Sequence, residues 1–218
     1  MLAIRIWLFL VLTLGLAGAR AEATRPIAQA RALALGSLVL VEGYVSVEPG
    51  RFKSSSGDHG FAIQDASGGI YVSPAGRMQL ATGSLMRVRG LIEDDGHGQI
   101  VLKPASPKAI KQIPGRHLPQ AAPRRSGDIG AATAGLIVRV RGRVVAPPSA
   151  DLPWGYKFHL DDGSGAVLVF VAASTHVDPL RPGFILPGAL LEVRGFVGRY
   201  DEHYEILPRR RADITVLH

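Results

Sequence analysis

Phe61-Ala62-Ile63-Gln64-Asp65-Ala66-Ser67-Gly68-Gly69-Ile70-Tyr71-Val72 reads as strand, tight turn, strand. Phe61 and Ile63 alternate with Ala62 and Gln64, and Ile70 and Val72 flank Tyr71, which is the period of two of a half-buried strand. Asp65 and Ser67 can accept bonds from turn backbone, and the glycines permit φ > 0. The pattern recurs as Phe158-His159-Leu160-Asp161-Asp162-Gly163-Ser164-Gly165-Ala166-Val167-Leu168-Val169.

Around the two hairpins other features repeat. Each is preceded by a long β-rich run with a glycine in its middle, Gly43 in residues 38–47 and Gly142 in residues 136–145. A glycine inside a strand marks a bulge or a sharp bend. Each hairpin is followed by a run ending in Val-Arg-Gly, at Val88-Arg89-Gly90 and Val193-Arg194-Gly195. A short fifth strand then stops at Pro104 in one copy and Pro208 in the other. Short opening helices are expected within 26–33 and 127–135, and a last short strand over 213–217. Five strands, a bent first strand and a connector between the third and fourth make the pattern of an OB barrel. The fold class is therefore all-β, with two tandem five-stranded OB-fold barrels.

Carried on Gly43, Phe61, Gln64, Asp65, Gly68, Gly69, Gly83, Val88 and Gly90, and again on Gly142, Phe158, Asp161, Asp162, Gly165, Gly188, Val193 and Gly195, the chain resembles the OB modules of exported bacterial proteins. Some of those modules are attached to secreted nucleases and some to envelope sensors. The motifs are fold markers, so the resemblance implies architecture and leaves activity open.

Arg5, an apolar run over 6–16 and Ala19-Arg20-Ala21 have the layout of a cleavable signal peptide over residues 1–21, with Glu22 as the mature start. The run is shorter than the roughly 20 apolar residues of a spanning helix. No later segment is long and apolar enough to span a membrane. With no cysteine there is no residue to lipidate, no disulfide and no thiolate metal site. A periplasmic or secreted location follows as the expectation. The expected divisions are a first barrel over 22–106, a Pro-rich basic linker over 107–126 and a second barrel over 127–218. Pro107, Pro114, Pro119 and Pro123, together with Lys108, Lys111, Arg116, Arg124 and Arg125, suggest a semi-extended, solvated joint.

The full chain of 218 residues carries net charge +7; residues 1–21 contain Arg5 and Arg20 and no acid, so the remainder has 23 basic and 18 acidic residues, or +5. That balance admits nucleic acid, anionic lipid or another anionic polymer and selects none of them. OB barrels bind on the outward face of strands two and three, with flanking loops as walls. Alternation places Ala62, Gln64 and Tyr71 on that face in the first copy, flanked by Arg51, Phe52 and Lys53. In the second copy it places Lys157, His159 and Leu168 there, flanked by Trp154, Tyr156, Arg199 and Tyr200. Arg87 and Arg89, like Arg139, Arg141 and Arg143, form basic rows on strand exteriors, for phosphate contact or for edge protection. Base stacking on aromatics contributes about 1–3 kcal/mol per base, and one aromatic per face is thin for that task.

No nucleophile elbow, zinc-protease motif, phosphate loop or thiol is present, so no enzyme and no cofactor are expected. The carboxylate–histidine groupings Asp58-His59, Asp94-Asp95-Gly96-His97 and Asp201-Glu202-His203 fall in hairpin tips without defined metal-ligand spacing. The reading is an exported, non-catalytic protein binding single-stranded DNA or RNA through its OB faces, on Arg51, Lys53, Tyr71, Arg87, Arg89, Arg139, Arg141, Trp154, Tyr156, Lys157, His159, Arg199 and Tyr200. The alternative is an envelope interaction protein that holds a protein, glycan or small ligand on a mixed patch around Leu168 and Phe170.

Overall fold

The computed structural model describes residues 23–52, 57–73, 76, 78–181 and 183–217. The expected signal peptide lies outside them. In the first half, α1 (Ile27–Arg31) is followed by β1 (Leu38–Val47), β2 (Phe61–Gln64), β3 (Gly69–Val72), β4 (Ser84–Asp94), β5 (Ile100–Lys103) and β6 (Ile110–Arg116). The sheet runs β1-β2-β3-β5-β4 and closes through β1–β4, with β3 and β5 parallel, which is OB topology. The second half contains β7 (Ala122–Pro123), β8 (Ile137–Val144), β9 (Ser149–Asp151), β10 (Gly155–Asp161), β11 (Val167–Ala172), β12 (Leu190–Tyr200), β13 (His203–Leu207) and β14 (Ile214–Leu217). It closes in the same order, β8-β10-β11-β13-β12, through β12–β8. Both closed barrels are as the sequence pattern requires.

The two central glycines mark where the first strand of each barrel changes partner. β1 pairs with β4 up to Tyr44 and with β2 from Tyr44 onward; β8 changes from β12 to β10 at Arg143. A Cβ at Gly43 would meet Ile27 Cδ1 at 3.0 Å, and one at Gly142 would meet the Asp161 backbone at 3.0 Å. Inward-facing residues then fill each barrel: Val41, Phe61, Ile63, Val88 and Leu102 in one, Val140, Phe158, Leu160, Val193 and Ile206 in the other.

The turn acids anchor the opening segments. Asp65 Oδ2 accepts the Ile27 N–H at 2.9 Å, and Ser67 Oγ accepts the Ala28 N–H at 3.1 Å. In the second copy Asp162 Oδ2 accepts the Ser126 N–H at 3.2 Å and Ser164 Oγ accepts the Gly127 N–H at 2.9 Å. The second opening segment is nevertheless only a 3₁₀ turn over Ser126–Asp128, not the helix expected there. Gly127 and Gly130 disfavour a longer helix.

Residues 110–116, expected in a solvated linker, form β6 on the edge of the first sheet. Ile110 pairs with Val88 as Ile214 pairs with Val193, so β6 is the counterpart of β14. Pro114 is tolerated because the strand is an edge. β7 joins β8 in the second sheet, leaving a short crossing segment between the two.

The barrels share a third apolar cluster. Val47, Phe52, Ala62, Tyr71 and Val101 of the first barrel pack against Ile137, Ala172, Phe196 and Leu207 of the second. Phe52, Tyr71 and Phe196 form an aromatic trio with centroids 5.7–6.4 Å apart. Polar contacts cross the same seam. Gln64 Oε1 accepts the Ile137 N–H at 3.0 Å, Gln99 Oε1 the Arg199 N–H at 3.2 Å, and the Arg51 carbonyl the Ser174 hydroxyl at 2.8 Å. At its tightest point a Cβ on Gly69 would lie 1.9 Å from the Gly135 carbonyl oxygen, so only glycine fits.

Candidate ligand-binding surfaces

The seam decides which barrel face meets solvent. Ala62 and Tyr71 have the outward orientation expected from alternation, yet both are buried beneath the second barrel. Tyr71 is therefore removed as a stacking platform. Its ring packs against both Phe52 and Phe196, and its hydroxyl donates to Asp58 Oδ1 at 2.9 Å. Arg51 donates from Nε to Glu48 at 3.0 Å, and Lys53 lies outside the described residues. Burial pushes the Glu48 carboxyl up, but hydrogen bonds from Arg51 and Thr82 outweigh it and hold the group below the usual range.

The second barrel's face is open. Register aligns Tyr71 with Val101 in the first barrel and Leu168 with Glu205 in the second. The covered trio Ala62, Tyr71 and Val101 thus corresponds to His159, Leu168 and Glu205. His159 is exposed, and Leu168 is half-buried. Lys157 lies beside them, its Nζ 3.3 Å from Asp151 Oδ2 across β9. The Glu205 carboxyl is 3.8 Å from His203 Nε2. Burial, reinforced by Asp151 and opposed by Lys157, pushes the Glu205 carboxyl up to about 7. Trp154, in the loop before β10, is 65% exposed; Tyr156 points inward against the second core. Phe170 is drawn into the seam. The resulting face is mixed in charge, not a basic groove.

The strongest positive surface lies on β8 and β12 instead. Arg139, Arg141 and Arg143 occupy alternate positions of β8, and Arg194 lies directly across from Arg139. Glu192, across from Arg141, is the carboxylate they share: Arg141 Nε is 2.7 Å away, Arg194 Nη2 2.8 Å and Arg139 Nη1 3.9 Å. Burial pushes the Glu192 carboxyl up, but the Arg141 and Arg194 hydrogen bonds overcome this and hold it ionised. The Glu192 side chain is only 6% exposed, whereas Arg141 is 63% and Arg194 49% exposed. The acid is underneath and the guanidinium heads face water. Arg143 has no carboxylate partner among the described residues; its Nη1 donates to the Gly188 carbonyl. On the first barrel, Arg87 is held by Glu42 at 2.6 Å, and Arg89 is exposed on β4. Alternation within β12 sets Glu192 and Arg194 on one face, but does not show that the β8 arginines lie opposite them. That meeting becomes visible once β12 is registered against β8.

Arg199 and Tyr200 belong to a third place, where the β4–β5 tip of one barrel meets the β12–β13 tip of the other. His97 Nδ1 and Asp201 Oδ1 are 2.7 Å apart, and the His97 ring stacks on Tyr200 at 4.4 Å. Two hairpin motifs 104 residues apart are thereby joined. No group of three or more potential metal ligands occurs among the described residues.

No protein-family model matches the chain, and neither does any curated protein. Solved structures with a similar trace include a murine DNA-binding protein bound to double-stranded DNA, at TM-score 0.43 and 10% identity over 77% of this chain and 90% of that one. The tetrameric p202 HIN2 gives 0.40 and 10% over 85% and 96%. The single-stranded DNA binding protein from Thermus aquaticus gives 0.27 and 14% over 85% and 95%. No residue here takes a role from these likenesses.

Proposed function

We propose that the chain is an exported, non-catalytic binding protein that holds single-stranded nucleic acid along the arginine row of β8 and β12. The observation that carries this reading is that four arginines line one exposed sheet face and only one carboxylate, the buried Glu192 shared by Arg139, Arg141 and Arg194, accompanies them. Alternate residues on a strand are about 6.6 Å apart, so Arg139, Arg141 and Arg143 offer a line of cations suited to a phosphate backbone. Glu192 orients the heads of Arg139, Arg141 and Arg194, the Gly188 carbonyl holds Arg143, and the patch stays positive by three charges. The leader at residues 1–21 would place this activity outside the cytoplasm.

The test is fluorescence anisotropy of residues 22–218 against labelled oligo-dT and oligo-U across a salt series. Each single-strand phosphate contact contributes a slope of about −0.7 in log affinity against log salt. Changing both Arg141 and Arg143 to Ala is expected to weaken binding at least tenfold at low salt and to flatten the slope by about 1.4. Absence of binding at low salt, or an unchanged slope in the double variant, overturns the proposal. A second reading, a protein or glycan ligand on the β10–β11–β13 face, is favoured by the mixed Leu168, Glu205 and Lys157–Asp151 surface. Loss of binding on Leu168→Arg would identify it.

A further inference from the structure

Between the barrels, with Phe196 of the aromatic trio in its wall, lies a cavity of about 240 Å³. Arg31, Asp94 and Gln99 reach it from the first barrel, and Arg199, Tyr204 and Phe196 from the second. Arg31 is the unusual member. A guanidinium carries five N–H donors. One, on Nη1, donates to the Ala134 carbonyl, while Nε is buried with no partner among the described residues. Burial pulls the Arg31 guanidinium down, against a smaller opposing effect of Tyr204. Asp94 lines the same space, but its Oδ1 is taken by the N–H groups of Gly96 at 2.7 Å and Gly98 at 3.2 Å in its own hairpin.

The other donors around the space point the same way. Arg199 has its Nε on the Asp201 carbonyl at 2.8 Å, its guanidinium lies 5.8 Å over the Tyr204 ring, and it forms no ion pair among the described residues. Gln99 uses its oxygen on the Arg199 N–H, which leaves its amide NH₂ as donor. Arg31 is half-buried, and a buried donor left without an acceptor beside a cation costs free energy that an anion would relieve.

We infer that this cavity is a binding site for a small oxyanion, a phosphate monoester or carboxylate, held between Arg31 of one barrel and Arg199 and Tyr204 of the other. Guanidinium forks match both oxyanion types with paired hydrogen bonds. The volume is below the roughly 300–1,000 Å³ of pockets for drug-sized ligands, so the occupant is a small anion or one anionic end of a larger molecule. Because its contacts come from both barrels, the ligand would clamp the seam. The site is separate from the β8–β12 row and does not depend on it.

The experiment is calorimetric titration of residues 22–218 with inorganic phosphate and, separately, with succinate, using chloride at matched ionic strength as reference. One saturable site per chain is expected for at least one of the two, with a raised unfolding midpoint, since a ligand specific for the folded state stabilises it. Arg31→Met keeps an apolar stem and removes the charge, so it should lose at least tenfold in affinity together with the midpoint rise. Lys111→Ala, an exposed change on β6, should lose neither. If Arg31→Met does not fold, Arg199→Ala serves, with the same tenfold loss expected. Neither anion exceeding chloride, or wild-type affinity in the folded variant, overturns the inference. Which anion binds separates phosphate from carboxylate ligands.

Discussion

Glu205→Gln probes the open face of the second barrel through its effect on stability. The Glu205 side chain is 12% exposed, and burial, with Asp151 adding to it and Lys157 opposing, moves its carboxyl from 4.5 to about 7. The folded chain therefore holds this proton more tightly than the unfolded chain. Stability from the protonated carboxyl is full below about pH 4.5 and is lost as pH rises to about 7. At about 1.4 kcal/mol per tenfold change in proton affinity, the loss amounts to roughly 3 kcal/mol. Glutamine reproduces the neutral form at every pH. The variant should match the wild type at about pH 4 and exceed it by roughly 3 kcal/mol at about pH 8, which for a protein of this size is a midpoint rise of about 6 °C or more. Urea titrations at the two pH values, followed by intrinsic fluorescence, measure this directly. Equal pH dependence in the two proteins would refute the burial argument, and with it the placement of Glu205 under a low-dielectric face.

Phe196→Ala removes one ring of the seam trio and should cost about 3–5 kcal/mol; limited proteolysis should then cut between the barrels faster than in the wild type. Gly69→Ala places a Cβ 1.9 Å from the Gly135 carbonyl oxygen, so it should loosen the seam by forcing backbone apart, whereas Ala166→Gly at the equivalent place in the second copy should change stability by less than about 1 kcal/mol. The Ser164 hydroxyl, then Ser126, hold the Asp162 carboxyl down at about 2, so the stability it contributes is present above about pH 4 and is lost as pH falls toward 2. Asp162→Asn should flatten that acid limb in a circular-dichroism titration. Gln64→Ala leaves the Ile137 N–H without its acceptor in the seam and should cost about 1–3 kcal/mol in denaturant unfolding.

Much of the barrel architecture was legible because strand alternation and turn chemistry are local. Phe61 and Phe158 declare the inner side, and the Val-Arg-Gly repeats fix equivalent points in the two copies. The edge strand β6 was obscured by Pro107 and Pro114, which in sequence resemble a linker and in space need only an unpaired edge. Tyr71 shows the larger limit. Alternation separates the inside of a barrel from its outside, but it does not say what lies against the outside. The ring faces outward and is buried because a neighbouring barrel covers it. Pairings such as His97 with Asp201, or Arg141 with Glu192, depend on how hairpins and strands are registered, and no short window of sequence carries that information. In the sequence Gly69 reads as a turn residue. Its counterpart Ala166 completes the same turn, so the glycine answers to the close approach of Gly135 instead.

The seam also sets the valency of the molecule. Tandem modules commonly gain apparent affinity because, once one site is engaged, the second meets its ligand at high effective concentration. That gain needs two faces that are accessible together. Here the first barrel's β2–β3 face is taken up by its neighbour, and the residues answering to it in the second barrel remain open. For any ligand of that face the stoichiometry is one per chain, and the duplication confers no avidity through it. Multivalent engagement of a long polymer would have to come from several chains arrayed along it.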